Sequence, residues 1–270
     1  MSAPEMPVPV VLGPAGEHAL GVPEGRSASP LPRRVLAQAR FDVRSMLRNG
    51  EQLLLTIVLP LLVLIGLSKS SVIDLGTGAR IDLATPGVLA LALVSTSFTG
   101  QAIGTGFDRR AGLLRLLGTT PLGRSGLVAG RVLAILLVEV LQVVVLGGAG
   151  LALGWNPVPG GVLPAVVTGV LGTAAFVSLG LLLAGTLRAE AVLAAANLIW
   201  VLLLAGGGVV LAAHRLGAAG TVVELLPSAA LGDALRASLG HGQWPWGDLA
   251  VLAVWAVAGT AATARWFRWT

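Results

Sequence analysis

The sequence predicts an all-α integral membrane protein with six transmembrane helices, and three observations carry that expectation. Apolar residues make up 55% of the 270 positions and charged residues 11%, with 37 glycines besides and a mean hydropathy of +0.86; a soluble domain averages about 25% charged. Six apolar runs, near residues 52–68, 86–106, 132–153, 162–187, 191–213 and 247–264, approach or reach the roughly 20 residues that a span needs. The basic residues are the third signal. With the N-terminus on the cytoplasmic side, 14 of the 18 Lys and Arg fall in inside segments, leaving Lys69, Arg80, Arg215 and Arg236 outside. That bias obeys the positive-inside rule and predicts both termini to be cytoplasmic. It also accounts for the basic pI through topology, with no nucleic-acid partner implied.

Residues 1–32 hold seven prolines, interspersed acids and no apolar run. They lack the basic start and apolar core of about 7–15 residues that mark a signal peptide, so an uncleaved, disordered cytoplasmic tail is expected. The next stretch, "RRVLAQARFDVRSMLR" (33–48), changes character. At 100° per residue, Val35, Leu36, Ala39, Val43, Met46 and Leu47 fall on one arc, and Arg33, Arg34, Arg40, Arg44 and Arg48 on the opposite one. A helix of this kind lies in the membrane interface and leans on anionic lipid heads.

Within the spans, Pro60 is expected to kink the first, and "LRAEA" around Arg188 leaves only a tight turn between the fourth and fifth. Glu139 lies inside the third span with Gln142 at i+3 on the same face. An ionisable group at mid-membrane costs at least about 2.5–3.5 kcal/mol, so it must face the bundle interior, water or a partner. Two readings stay open for it: a lining of the transport path, or a protonated interhelical hydrogen-bonder. Asn197, in the fifth span, joins them as a polar candidate, with a structural role favoured. Gly206–Gly208 predicts close packing or a broken helix.

Between spans two and three lies "GFDRRAGLLRLLGTTPLGRSGLVAGR" (106–131), long and basic for a loop. Phe107, Ala111 and Leu114 recur at i, i+4 and i+7, widened by Leu113 and Leu117, while Asp108 and Arg115 share another face. The spacing predicts one amphipathic helix over 107–118, ended by Thr119–Pro121.

Several function classes lack their residues. There is no cysteine, hence no disulfide framework or thiolate chemistry, and His18, His214 and His241 lie far apart in sequence. A phosphate-binding loop needs G-x-x-x-x-G-K-[ST], yet the single lysine, in "GLSKSS", follows Ser68 where Gly is required. An intramembrane enzyme would need a convergent set of catalytic groups, and Glu139 is the one plausible mid-span acid.

The loop "FDRRAGLLRLLGTTPLGRSGLVAGR" resembles the cytoplasmic motif of ABC-2 type exporter permeases, the daunorubicin-resistance-like transporters. Asp108, Arg109, Gly112, Leu114, Leu117, Thr120, Pro121, Leu122 and Arg124 match the motif; Arg110 and Arg115 depart from it, acids being usual at both places. Residues 33–48 sit where that family has its elbow helix. "VVELLPSAALGDALRASLGHG" (222–242) is similar to its external element before the last span, with Pro227 and Ser228 opening a short helix that carries Leu231, Leu235 and Leu239.

The resemblance implies a transmembrane domain over 33–270 and a coupling helix over 107–118. That helix would dock on a separate cytoplasmic ATPase subunit through Phe107, Asp108, Arg109, Gly112, Leu113, Leu114, Arg115, Leu117, Thr120 and Pro121. ATP and Mg would be held by the partner, with no cofactor in this chain. A second permease copy, identical or paralogous, would face this one across an export path in the cell membrane. The apolar interior suits an amphipathic or lipid-like cargo. A non-transporting assembly or regulatory subunit with the same fold stays open.

Overall fold

The structure, a computed structural model, describes residues 29–70, 79–118, 120, 122–209 and 220–268, and every regular element among them is helical. The greater part of the tail, residues 1–28, lies outside the described residues. Helix α1 (Leu31–Arg48) starts with Pro32 in its first turn, where a missing N–H costs nothing. Residues 50–69 form one helix, α2, with a π turn at Leu54–Val58. The turn sits just ahead of Pro60, which has no N–H to offer the Thr56 carbonyl in α-helical register. The expected kink therefore takes the form of a local widening.

Among the described residues five helices are long and apolar enough to cross a membrane, where six are expected. They are α3 (Arg80–Arg110), Gly126–Ala152 within α5 (Gly123–Ala152), Pro159–Thr186 containing α6 (Val162–Thr186), α7 (Ala189–Gly206) and α10 (Trp246–Trp266). The apolar part of α2, Thr56–Lys69, is shorter. Helix α3 reaches beyond its predicted limits at both ends and carries a second π turn, Ser95–Gly100, at mid-length.

The loop helix expected over 107–118 is two pieces. Helix α3 runs through Phe107 to Arg110, the chain breaks at Ala111–Gly112, and α4 (Leu113–Gly118) follows in a new direction. Gly112 has φ +74°, a left-handed conformation that only glycine adopts freely, so the periodicity of the stripe does not survive across it. Helix α7 stops at Gly206 rather than continuing to 213, and residues 210–219 lie outside the described residues.

Helix α3 occupies the centre, with almost every side chain from Ala84 to Val94 buried. The predicted external element is a short helix, α8 (Gly220–Val223), followed by α9 (Pro227–His241), which packs on α3, α6 and α10. Leu231, Leu235 and Leu239 of α9 are all buried, Leu231 against Gly172. Helix α9 also closes the end of α7: the Ser228 hydroxyl donates to Gly207 O at 2.6 Å, and the Arg236 guanidinium donates to Gly208 O at 2.8 Å and Val209 O at 2.9 Å. Gly207 is the C-cap of α7 and Gly208 and Val209 follow it, so α9 supplies donors to carbonyls that lie outside the helical ladder. On the far side of α9, Val158 N donates to Leu239 O at 2.9 Å. Gly161 lies so close to Ser238 that a Cβ would overlap its carbonyl.

Two glycines separate packing from propensity. Gly161→Ala should destabilise the protein by about 1–3 kcal/mol, because neither backbone can yield. Gly148→Ala, with nothing near its Cβ position, should be neutral or stabilising by about 0.5–1 kcal/mol. Thermal unfolding in detergent distinguishes the two, and equal effects would contradict this packing.

Candidate functional site

The basic segments gather at one end of the bundle. Helix α1 lies along α5, the α3–α4 corner meets the Leu187–Arg188 turn between α6 and α7, and the end of α10 touches α6 through Arg268 N donating to Gly185 O at 3.2 Å.

At the corner, three consecutive charges serve three different neighbours. Asp108 pairs with Arg131 of α5, whose guanidinium also donates to Thr105 Oγ1 at 3.0 Å. Gln101 Nε2 donates to the same hydroxyl at 3.1 Å. Arg109 donates to the Leu187 carbonyl, and Arg110 pairs with Glu190 in the first turn of α7. The last pair is exposed on both sides and contributes at most about 1 kcal/mol. Arg110, where the resembled motif has an acid, is thus engaged within the chain.

Helix α4 presents two faces. Leu114 is 3% exposed and turned into the bundle, whereas Leu113, Leu116 (65% exposed) and Phe107 on α3 are open. The predicted stripe of Phe107, Ala111 and Leu114 is therefore replaced by Phe107, Leu113 and Leu116. Thr120 accepts from Gly123 N at 3.1 Å. The side chains of Arg115 and Leu117, together with Pro121, lie outside the described residues.

Helix α1 seats on α5 at Gly126 and Gly130; a Cβ at Gly130 would strike Gln38. The buried line is Ala39 and Asp42, flanked by Val35 and Met46, while Leu36 and Leu47 of the predicted apolar arc are exposed. Arg33, Arg40, Arg44 and Arg48 are open and Arg34 is half-buried. Asp42 went unnoticed in the sequence, although an acid three residues after Ala39 in a basic helix was the available signal. Gln38 Nε2 donates to its Oδ1 at 2.9 Å, and its Oδ2 is buried without a partner. Burial pushes the Asp42 carboxyl above its ordinary value, against the pull of Arg131.

Deeper in, Gln142 is 2% exposed and its amide donates to Thr56 O at 2.7 Å and Thr96 Oγ1 at 2.8 Å. It thereby serves the carbonyl that Pro60 cannot reach in α-helical register. Glu139, 7% exposed, has Oε2 at 2.6 Å from Thr173 Oγ1, which also lies 2.9 Å from Gly169 O. One hydroxyl proton cannot serve both acceptors. A neutral Glu139 that donates to Thr173, which in turn donates to Gly169, satisfies both contacts. Glu139 and Gln142 face the inside of the protomer, while Asn197 is exposed on α7. Trp200 Nε1 donates to Ser95 Oγ at 2.7 Å.

Residues 34–239 match the family model described as ABC-2 type transporter. No curated protein matches the chain.

Asp42→Asn tests the α1–α5 seam. With the folded-state value raised, the folded chain binds the proton more readily than the unfolded one, so stability falls as pH climbs from 3.8 through the raised value. The variant should unfold at a higher temperature than wild type at pH 7, with the gap closing as pH falls towards 3.8. At mid-bundle, Glu139→Gln should cost no more than about 0.6 kcal/mol, since its amide can still donate to Thr173. Gln142→Leu should cost about 1–3 kcal/mol by removing a buried donor. The melting temperatures of the two variants, measured in one detergent, check the order.

Proposed function

The chain belongs to the ABC-2 type transporter family, and from that premise we propose that it is the permease of an ATP-driven exporter for an amphipathic or lipid-like substrate. As a family member it is a multi-pass membrane subunit of an ABC transporter, a class that works with a partner ATPase. ATP and Mg belong to that partner, and this chain transmits the partner's motion.

The observation that carries the reading is helix α4. It sits at the basic end with Leu113 and Leu116 open beside Phe107, on a corner fastened to α5 by Asp108–Arg131 and to the α6–α7 turn by Arg109 and Arg110. A push on α4 is therefore delivered to three spans at once, which is what a coupling element must do. The positive-inside bias supports a cytoplasmic basic end and both termini inside, at the cell membrane. Helix α2 supports the count of six spans: residues 50–69 at 1.5 Å per residue reach about 30 Å.

Asn197 supports a second permease copy, identical or paralogous, on α7. It is exposed at mid-helix and has no hydrogen-bond partner among the described residues, beside the open Leu198, Val201 and Leu202. An amide left in hydrocarbon is costly, and a facing helix relieves it. Past Glu190 in the first turn of α7, the open side chains of α5 and α7 include Leu137, Val140, Val144, Leu193 and Leu198, an apolar surface that suits an amphipathic cargo.

The test is co-purification of an ATPase subunit from native membranes. A Leu113→Asp, Leu116→Asp variant should insert and fold like wild type yet lose the ATPase. Leu114→Asp should instead destabilise the chain by about 2 kcal/mol or more, because it buries an unpaired charge. An ATPase retained by the double variant would refute docking on this face of α4.

A further inference from the structure

We propose that the groove between α5 and α10 at the basic end binds an anionic lipid of the adjacent leaflet. The groove encloses a cavity of about 130 Å³. Gln101, Thr105 and Arg131 form its polar floor, and Val128, Val132 and Leu181 line its apolar sides. Its outer lip is Ala264 and Phe267.

The lip is built rather than frayed. Arg268 N donates to Gly185 O at 3.2 Å, Phe267 N donates to Thr263 O at 2.9 Å, and the Phe267 ring lies on Gly185 where a Cβ would strike it. Thr263 Oγ1 donates to Ser178 O at 2.8 Å, which fixes the last turns of α10 against α6.

Size and charge choose the occupant. Drug-sized ligands fill roughly 300–1,000 Å³, so this cavity can seclude only part of a molecule, such as a stretch of acyl chain, while the remainder stays in the bilayer. Arg265 and Arg268 flank the lip and are exposed, and Arg131 stands on the floor paired with Asp108 and within the electrostatic reach of Asp42. Three guanidiniums against two carboxyl groups, one of them the Asp42 carboxyl that burial disfavours as an anion, leave net positive charge, which favours an anionic head over a zwitterionic one. Leu114 and Leu127 also line the cavity. An acyl chain there packs beneath α4 and supports its orientation.

The experiment is native mass spectrometry of the full-length protein titrated with phosphatidylglycerol or with phosphatidylcholine of the same chains, without ATP or partner. Phosphatidylglycerol should bind about tenfold more tightly. Ala264→Trp, a substitution on the exposed rim, should fill the groove and abolish that preference. Arg265→Gln with Arg268→Gln should weaken phosphatidylglycerol alone. Equal binding of the two lipids to wild type overturns the proposal, as does a phosphatidylglycerol affinity unmoved by Ala264→Trp. Should Ala264→Trp instead remove a dimer peak, the groove is a protein interface and the lipid site falls. If that variant fails to fold, the double arginine variant decides, and an unchanged affinity for phosphatidylglycerol overturns the site. The readout is binding alone, so its failure leaves the permease reading intact.

Discussion

Inside an apolar solvent every peptide group must find its partner within the protein, and the Gln142 amide of α5 meets that requirement for a freed carbonyl of α2 while also binding α3, so that one side chain joins three helices. It serves the Thr56 carbonyl beside the π turn of α2 and the Thr96 hydroxyl within the π turn of α3. Two irregular turns thus meet one side chain from a regular helix. Pro60 becomes tolerable, α3 stays central, and α2 is held in the bundle although its apolar part is short. Around this pin two further polar pairs are arranged inward: Glu139 with Thr173, and Trp200 with Ser95.

The two ends of the bundle solve different problems. At one end α9 reaches back to satisfy the carbonyls released where α7 stops, and its glycine and alanine face lets it lie deep against α3 and α6. Gly242, with φ +67°, then ends α9 in the left-handed conformation usual after a helix. At the other end the charges are paired across elements and not along one helix. Asp108, Arg109 and Arg110 each bind a different partner, so a six-residue helix too short to be stable alone is held by what surrounds it. Rigidity at this corner is a tertiary property, and the proposed transmission of force through α4 depends on it.

Much of this was legible in the residues. Runs of apolar character located the long helices, because burial in lipid leaves no alternative to a helix. The basic amphipathic stretch read correctly as a helix, and the leucines of 231, 235 and 239 marked the buried face of α9. The period predicts one helix across the loop because Gly112 is compatible with it, and only the positive φ of Gly112 shows that the chain turns there. For the same reason Leu114 was grouped with Phe107, while Leu116 was left out. Asp42 was overlooked because an amphipathic wheel scores the arc as a whole and does not say which part of it meets a neighbour.

Composition and hydropathy determined by themselves that this is a helical membrane protein, and the placement of its basic residues set them in a few segments between the apolar runs. These are properties of residues in a solvent, and they need no knowledge of neighbours. What only the tertiary structure decided is the use of each polar group: that Gln142 repairs what Pro60 disrupts, that Arg110 answers Glu190, and that Leu114 faces in while Leu116 faces out. Hydrogen bonds and ion pairs join residues up to 105 positions apart here. No local period encodes such a pairing, because it depends on which helices the folded bundle sets side by side.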